Sequence, residues 1–316
     1  MNRPSGGDVP ITLNGCPSPS IPALVLWPAG MNRPWQELLE IASSARMDAI
    51  SLSPPILDTI EAQGLTPLGL AERLAEAGLV LSHLDGVSSW ATNPHPDPDD
   101  DGYALTHALF DYPIGRLLDM ADTFGMKAVA AVGAFSKGTT GFDEICRSFA
   151  DFCDRAKAHD IRVDLEFIPH WGIPDLPAAW KIVSAVNRDN CGILVDTWHL
   201  QKGSRDFEAD MALLETIPGH ILSTVQLCDD QVAMREDTTF QELIRHGRSF
   251  PGEGELAIVR ILATIARKGG LTSIGPEPFS ADLATLPVAD IARRADQSTR
   301  HALVAAMACA ERSVVG

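Results

Sequence analysis

The sequence predicts a single (β/α)₈ barrel, an α/β fold in which parallel strands alternate with helices. Short apolar runs bounded by turn residues alternate with longer stretches whose apolar residues recur every three or four positions. The units in the middle of the chain begin near residues 161, 191 and 221, and this even spacing of about 30 residues is typical of consecutive βαβ units. We expect residues 1–316 to form one domain with a flexible tail over residues 1–10.

The predicted strands are short and apolar, as expected for strands buried on both faces. They are Ile11–Asn14, Asp48–Ser53, Leu79–Leu84, Lys127–Gly133, Arg162–Ile168, Cys191–Thr197, Leu222–Cys228 and Leu271–Glu277. The helical pattern covers Trp35–Arg46, Leu68–Ala77, Phe142–His159, Leu176–Val186, Phe207–Ile217, Leu256–Lys268 and a long C-terminal stretch. Eight such units are the number that closes a barrel.

The alternative fold is an open, doubly wound sheet. Such a sheet usually carries a glycine-rich phosphate-binding fingerprint after its first strand. The first predicted strand instead ends in Asn14-Gly15-Cys16-Pro17, which lacks that fingerprint. The closed barrel is therefore favoured.

Two long predicted loops leave the C-terminal ends of strands, where barrel enzymes place their active sites. They are Asp85–Asp111, with a proline-rich and acidic run over residues 93–101, and Asp229–Gly254. We expect no regular structure in the first loop. Loops of this length are uncommon unless they are functional or disordered, and for residues 93–101 both disorder and an interface remain open.

The net charge of −17 argues against nucleic acid or an anionic membrane as a partner. The first ten residues lack the apolar segment of a signal peptide, and no run approaches the roughly 20 apolar residues that span a bilayer. The six cysteines are scattered and form no C-x-x-C pair, which is typical of reduced thiols. We therefore expect a cytoplasmic protein.

Four consecutive predicted strands, the fifth to the eighth, end with an oxygen-bearing side chain. Side chains alternate between the two faces of a strand, so the neighbours of each helix-facing apolar residue point into the barrel. In Val163-Asp164-Leu165-Glu166-Phe167, the apolar residues face the helices and Glu166 faces inwards. The same alternation directs Asp196, Gln226 and Glu277 inwards.

These strand ends converge on one mouth of the barrel, where three carboxylates close together are unfavourable without a cation. Hard oxygen ligands favour Mg²⁺ or Mn²⁺, with Co²⁺ as a further candidate. The sequence therefore predicts one divalent metal ion held by Glu166, Asp196, Gln226 and Glu277. The alternative is a set of separate solvated or salt-bridged residues, and the coincidence of all four argues against it.

Several segments, in this order along the chain, resemble the sugar phosphate isomerase/epimerase superfamily of xylose isomerase-like TIM barrels. They are Leu165-Glu166-Phe167-Ile168-Pro169, Val195-Asp196-Thr197-Trp198-His199, Val225-Gln226-Leu227-Cys228-Asp229, Phe250-Pro251-Gly252-Glu253-Gly254-Glu255 and Gly275-Pro276-Glu277. The resemblance covers roughly residues 10–310 and is strongest in the second half. It implies four metal ligands, one from each of the fifth to eighth strands. In order, these are a Glu, an Asp, a His or Gln, and a Glu, which correspond to Glu166, Asp196, Gln226 and Glu277.

Position 226 is where this chain departs from the sugar epimerases it resembles, because those usually have His there. Gln is typical of the related 3-dehydroshikimate dehydratases, which also have a segment similar to residues 245–252. However, those dehydratases end the eighth strand differently from Pro276-Glu277-Pro278-Phe279. The reaction type therefore remains open between isomerase or epimerase and lyase.

The resemblance implies a hydroxy-ketone or related carbonyl substrate whose α-proton is removed by a carboxylate beside the metal, giving an enediolate. Glu166 and Glu277 are the candidate bases. Return of the proton to the neighbouring carbon or the opposite face gives isomerisation or epimerisation. Loss of a β-hydroxyl from the same intermediate gives dehydration.

Five further residues are candidates for the site. By analogy with the family, His199 is a substrate ligand or a proton donor and His83 is a substrate contact, and a structural histidine is the alternative for each. Arg248 is a candidate to neutralise substrate oxygens, unless it is a solvated loop arginine. His170 and Trp171 follow the fifth strand and are expected to line the pocket.

We therefore expect a divalent-metal-dependent isomerase or epimerase that acts on a ketose, an inosose or a related polyhydroxy carbonyl compound. The alternatives are a metal-dependent lyase, either a 3-dehydroshikimate-type dehydratase or an eliminase of an oxidised glycoside, and a non-catalytic binding barrel. The sequence contains no recognisable phosphate cradle, and its acidic charge does not favour a phosphorylated ligand. The resemblance also makes a homo-oligomer possible.

Overall fold

The computed structural model of this chain describes residues 21–98, 103–232, 242 and 247–315. Eight parallel strands form a closed barrel, in which each strand pairs with the next along the chain and the last pairs with the first. The strands are β1 (Ala23–Leu26), β2 (Ala49–Leu52), β3 (Val80–Val87), β4 (Ala128–Val132), β5 (Arg162–Glu166), β6 (Cys191–Asp196), β7 (Thr224–Leu227) and β8 (Ser273–Pro276). The predicted (β/α)₈ barrel is confirmed.

Helices surround the barrel and follow the strands in the expected alternation. They are α1 (Trp35–Ser44), α2 (Pro54–Ala62), α3 (Pro67–Glu76), α4 (Tyr103–Phe110), α5 (Ile114–Thr123), α6 (Phe142–Lys157), α7 (Leu176–Val186), α8 (Thr197–Gly203), α9 (Phe207–Thr216), α10 (Ile258–Arg267) and α11 (Val288–Val315). None of the helices among these described residues combines the length and apolar composition needed to cross a membrane.

The first strand is the main error in the prediction of the fold. The other predicted strands match observed ones to within three residues at each end, whereas β1 is Ala23–Leu26 and the predicted Ile11–Asn14 lies outside the described residues. The apolar run of β1 lies between Pro22 and Pro28. Prolines are tolerated at the ends of a strand, so they bound this run without interrupting it.

The expectation of no regular structure in Asp85–Asp111 is also wrong. β3 continues through Asp85 to Val87, where it pairs with Ala131 of β4. Residues 103–110 then form α4. The polar Asp85 and the adjacent Gly86 interrupt the apolar run in the sequence, although the backbone continues as a strand.

Side-chain alternation separates the interior of the barrel from its helix-facing side. Val163, Leu165 and Phe167 of the β5 region belong to the apolar core between strands and helices. A smaller apolar group, which includes Trp27 and Leu194, fills part of the barrel interior. The inward and outward directions predicted for β5 are therefore confirmed.

A polar layer fills the barrel interior below the C-terminal ends of the strands. Asp164, which is fully buried, accepts hydrogen bonds from Arg162 Nε at 2.7 Å and from Thr224 Oγ1 at 2.9 Å. Ser273 Oγ donates to Thr224 Oγ1 at 3.2 Å. Because Asp164 and Thr224 each precede an inward-facing site residue by two positions, this layer lies directly beneath the mouth.

Candidate functional site

Glu166, Asp196 and His199 form the centre of a polar cluster at the mouth of the barrel. Each offers one ligand atom, and the three atoms lie within 4.8 Å of one another. His199 Nε2 is 3.3 Å from Glu166 Oε1 and 3.9 Å from Asp196 Oδ2. All three side chains are buried. The structure therefore brings together residues from the ends of two strands and from the helix that follows the second.

Asp196 is both the last residue of β6 and the N-cap residue of α8. Its Oδ1 accepts hydrogen bonds from the backbone N–H groups of Trp198 at 2.6 Å and His199 at 2.9 Å. Such capping satisfies the first free donors of a helix. The other oxygen, Oδ2, faces His199 and lies 3.6 Å from an Arg248 nitrogen.

Gln226 and Glu277, the other two predicted ligands, contact each other. Gln226 Nε2 donates to Glu277 Oε1 at 3.0 Å, and both side chains are buried. Gln226 Oε1 has no hydrogen-bond partner within the described part of the chain. A buried polar atom left unpaired costs about 1–3 kcal/mol. This oxygen is therefore available to a ligand.

The carboxylates at the mouth repel one another. Burial raises the pKa of Glu166 well above its ordinary value, and the charges of Asp85 and Asp196 raise it further. Burial, followed by the charges of Asp85, Glu166 and Asp196, raises the pKa of Glu277 in the same way. Burial alone would raise the pKa of Asp196 too, but the nearby His199 and Arg248 hold it below its ordinary value.

These donors fit a divalent cation. The set contains three carboxylates, the unpartnered Gln226 oxygen and the His199 imidazole. Burial lowers the pKa of His199 to about 3, so the ring is neutral at ordinary pH and able to bind a metal. Oxygen-rich sites with imidazole suit Mg²⁺, Mn²⁺, Co²⁺ or Zn²⁺.

Arg248 lies over this cluster as a buried cation. Its guanidinium is 4.2 Å from the ring centroid of Trp198 and 4.5 Å from that of Phe279. Its backbone pairs with Phe279 through hydrogen bonds of 3.2 and 3.0 Å. The side chain is only 4% exposed. The alternative of a solvated loop arginine is therefore wrong, because aromatic rings enclose the guanidinium on two sides.

The segment that carries Arg248 is fastened to the end of β7 by Asp229. The Asp229 carboxylate accepts hydrogen bonds from the backbone N–H groups of Gly252 at 2.8 Å and Leu256 at 2.9 Å. Asp229 and Ser249 also exchange backbone hydrogen bonds of 3.0 and 2.8 Å. These contacts hold the start and end of residues 249–256 against the barrel.

The remaining predicted site residues lie at different depths. His83 Nε2 is 3.5 Å from Thr224 Oγ1 and 3.9 Å from Asp164 Oδ2, so this ring belongs to the layer beneath the mouth. Trp171 is buried beside Phe110, with ring centroids 5.6 Å apart. His170 is exposed, and its charge contributes to lowering the pKa of His199.

Sequence reasoning missed Asp85 as a site residue because the predicted third strand ended at Leu84. Asp85 lies on β3 two residues beyond His83, which is the spacing of side chains on one face. Burial raises the pKa of Asp85 to about 7. The charge of Asp85 in turn raises the pKa of Glu166 and of Glu277. The alternation of His83 and Asp85 is the signal that would have found it.

The family model of the xylose isomerase-like TIM barrel matches residues 39–302. The chain therefore belongs to this family, and the resemblance found in the sequence is confirmed.

The similar proteins include an inosose isomerase and a 3-dehydroshikimate dehydratase. An inosose isomerase of Bacillus subtilis is 24% identical over 189 residues, which span 58% of this chain and 65% of that protein. A 3-dehydroshikimate dehydratase of Pseudomonas aeruginosa is 24% identical over 136 residues, which span 42% of this chain and 20% of that protein. A crystal structure of the IolI protein with a bound zinc atom has a TM-score of 0.71 and 18% identity, covering 89% of this chain and 98% of that chain.

Addition of Mn²⁺ is expected to raise the midpoint of thermal unfolding, because a ligand that binds only the folded state stabilises it. At a free concentration one hundred times the Kd, the gain is about 2.7 kcal/mol. Scanning calorimetry with and without a chelator measures this shift. Asp196→Asn should lose most of it, whereas Asp160→Asn, on a carboxylate that is 92% exposed, should keep it. An equal shift in the wild-type protein and Asp196→Asn would contradict the assignment of the site.

Proposed function

We propose that this chain is a divalent-metal-dependent isomerase or epimerase that acts on a ketose, an inosose or a related polyhydroxy carbonyl compound. The observation that carries this proposal is the contrast between carboxylates at one buried mouth. The pKa of Glu166 and that of Glu277 are raised by burial, whereas that of Asp196 is lowered by its interactions with His199 and Arg248. Carboxylates whose pKa values are pushed apart are suited to different roles in proton transfer and charge stabilisation.

Glu166, Asp196, Gln226 and Glu277 would hold the metal ion. A divalent cation there supplies Lewis acidity, which stabilises negative charge on substrate oxygens. Glu166 or Glu277 removes the proton from the carbon beside the substrate carbonyl. Delivery of a proton to the neighbouring carbon gives isomerisation, and delivery to the opposite face of the same carbon gives epimerisation.

Arg248 and His199 have supporting roles next to the carboxylates. The Arg248 guanidinium, enclosed by two aromatic rings, balances negative charge on the substrate. The neutral His199 ring lies 3.3 Å from Glu166 Oε1 and holds that carboxylate in place or exchanges a proton with substrate. The similarity to an inosose isomerase supports a cyclic or open polyhydroxy ketone as substrate.

A metal-dependent lyase is the second candidate, and Gln226 favours it. Gln at this ligand position is typical of 3-dehydroshikimate dehydratases, and a protein of that name is among the relatives. The same carbanion-forming step, followed by loss of a β-hydroxyl, would give dehydration. That the protein is cytoplasmic, forms a homo-oligomer, or binds only small molecules stays a prediction.

Proton NMR in D₂O distinguishes the two reactions. The metal-loaded protein is incubated with ketoses, inososes, 3-dehydroshikimate and a 3-oxo-glycoside. An isomerase or epimerase introduces deuterium next to a carbonyl without loss of water or aglycone. New vinyl or aromatic signals, or a released aglycone, would overturn this proposal in favour of the lyase.

Gln226→His is expected to retain the reaction type of the wild-type protein. Imidazole and amide oxygen are both neutral ligands, so the exchange alters metal affinity more than the fate of the intermediate. The rate is expected to fall by about tenfold, because loss of the hydrogen bond to Glu277 disturbs one ligand. Product analysis by NMR provides the check. A change from elimination to isomerisation, or the reverse, would make residue 226 the determinant of the outcome.

A further inference from the structure

The ligands on β5–β8 leave the half of the mouth formed by β1–β4 without an assigned role. We propose that Asp85 and Trp27 on this half bind hydroxyl groups of the substrate, so that the pocket takes an uncharged polyhydroxy carbonyl compound. This inference rests on the proposed function and names the residues that select its substrate.

Asp85 is a buried carboxylate without a hydrogen-bond partner among the described residues. The residue is 8% exposed, yet it forms no hydrogen bond or ion pair with any residue in the described ranges. A buried charge that is not paired is strongly unfavourable. The unpaired Asp85 carboxylate is explained if a bound ligand donates hydrogen bonds to it.

Further polar atoms without partners come from the neighbouring strand ends. Within the described ranges, Trp27 Nε1, Ser51 Oγ and His83 Nδ1 are buried and unpaired. The rings of Trp27 and His83 lie 4.7 Å apart. The pairing of Val25 with Ala49 in β1 and β2 places Trp27 and Ser51, two residues further on, side by side on the inward face.

These groups match the chemistry of a polyol. A hydroxyl group both donates and accepts, so Asp85 accepts from one hydroxyl while the Trp27 N–H donates to another. The inward-facing positions of β1–β4, all within the described chain, carry no lysine or arginine. A phosphate or carboxylate on this side of the substrate would meet the negative charge of Asp85 without a compensating cation.

Calorimetric titration of the Mg²⁺-loaded protein with myo-inositol and with shikimate tests the proposal. Neither probe carries a ketone, so binding is measured without turnover, and only shikimate carries a charge. The wild-type protein is expected to bind myo-inositol more tightly. Asp85→Asn and Trp27→Phe are each expected to weaken myo-inositol binding about tenfold, because the first replaces a charged acceptor oxygen and the second removes the indole N–H donor. Asp85→Asn should bind shikimate at least as tightly as the wild-type protein.

Trp35→Phe is the matched control for Trp27→Phe. Trp35 Nε1 donates to Gln63 Oε1 at 2.9 Å on the outside of the barrel. Its loss is expected to lower the Tm by about 2 °C and leave probe binding unchanged. Trp27→Phe should show the opposite result, with an unchanged Tm and weaker binding, because Trp27 Nε1 has no partner to lose within the described chain.

The outcomes separate this inference from the proposed function. Wild-type affinity for myo-inositol in both Asp85→Asn and Trp27→Phe would overturn it, as would failure of the wild-type protein to bind myo-inositol at all. A loss of Mg²⁺ affinity in Asp85→Asn as large as in Asp196→Asn would make Asp85 a metal ligand and overturn it too. If binding follows the expected pattern but no ketone exchanges its proton, the proposed reaction is wrong and the binding assignment stands.

Discussion

Glu166→Gln is expected to lower the rate of deuterium incorporation beside the substrate carbonyl by about a thousandfold or more. Glutamine has nearly the same size as glutamate but cannot accept the substrate proton. Glu166 is buried at the centre of the cluster, with Oε1 3.3 Å from His199 Nε2. NMR in D₂O at saturating Mn²⁺ measures the rate with the substrate that the wild-type protein turns over.

Glu208→Gln is the matched control for this variant. Glu208 is exposed and paired with Arg260 at 2.5 Å on the helical surface, so its replacement is expected to leave the rate within about twofold. Titration with Mn²⁺ separates the two roles of Glu166. A rate that excess metal restores fully would show that Glu166 is a ligand and not the base. An unchanged rate at ordinary metal concentration would remove it from the mechanism.

Gly275→Ala is expected to lower the free energy of unfolding by more than about 4 kcal/mol, or to prevent folding. Gly275 lies in β8 where the barrel closes against β1. An added Cβ would lie 1.5 Å from the Val25 carbonyl oxygen, which is backbone and cannot rotate away. Relief would require β1 and β8 to separate. Denaturation followed by circular dichroism, together with the soluble yield, measures the effect.

Gly115→Ala provides the comparison, because the same methyl group is added where space exists. Gly115 lies in α5, and its nearest neighbour would be an Arg155 side-chain nitrogen at 4.0 Å. This variant is expected to be more stable by about 0.5–1 kcal/mol, because alanine restricts the unfolded chain. Equal stability of Gly275→Ala and the wild-type protein would contradict the close approach of β1 and β8.

The second half of the barrel was predictable because β5 shows a clear alternation of apolar and polar residues and β6 is mainly apolar. β5 and β6 begin at the predicted residues, and alternation gave the inward direction of Glu166. The first half was harder. Prolines closely bound the short apolar run of β1, and Asp85 interrupts the apolar pattern of β3 in the sequence. In the folded barrel β1 pairs with β8 and β3 pairs with β4, and this pairing stabilises a strand conformation that the local sequence does not indicate.

The direction of a site residue was predictable from the alternation within its own strand. Contacts between segments that are distant in the sequence were not predictable. Alternation alone directed Asp196 and Gln226 to the mouth. The enclosure of Arg248 between Trp198 and Phe279 joins residues 50 and 31 positions away, and no local spacing indicates such a contact. The cap that Asp196 forms on α8 was equally hidden, since the helix it starts is short.

The polar layer beneath the mouth gives the barrel a floor. Thr224 donates a hydrogen bond to Asp164 across its interior, beneath Glu166 and Gln226. Both residues of this contact lie in strands, outside the two long loops that follow β3 and β7. Sequence changes in residues 85–111 and 229–254 can diversify what is recognised while this floor stays intact. Such a barrel can acquire new substrates through changes in its loops, while its strands and their pairing stay the same.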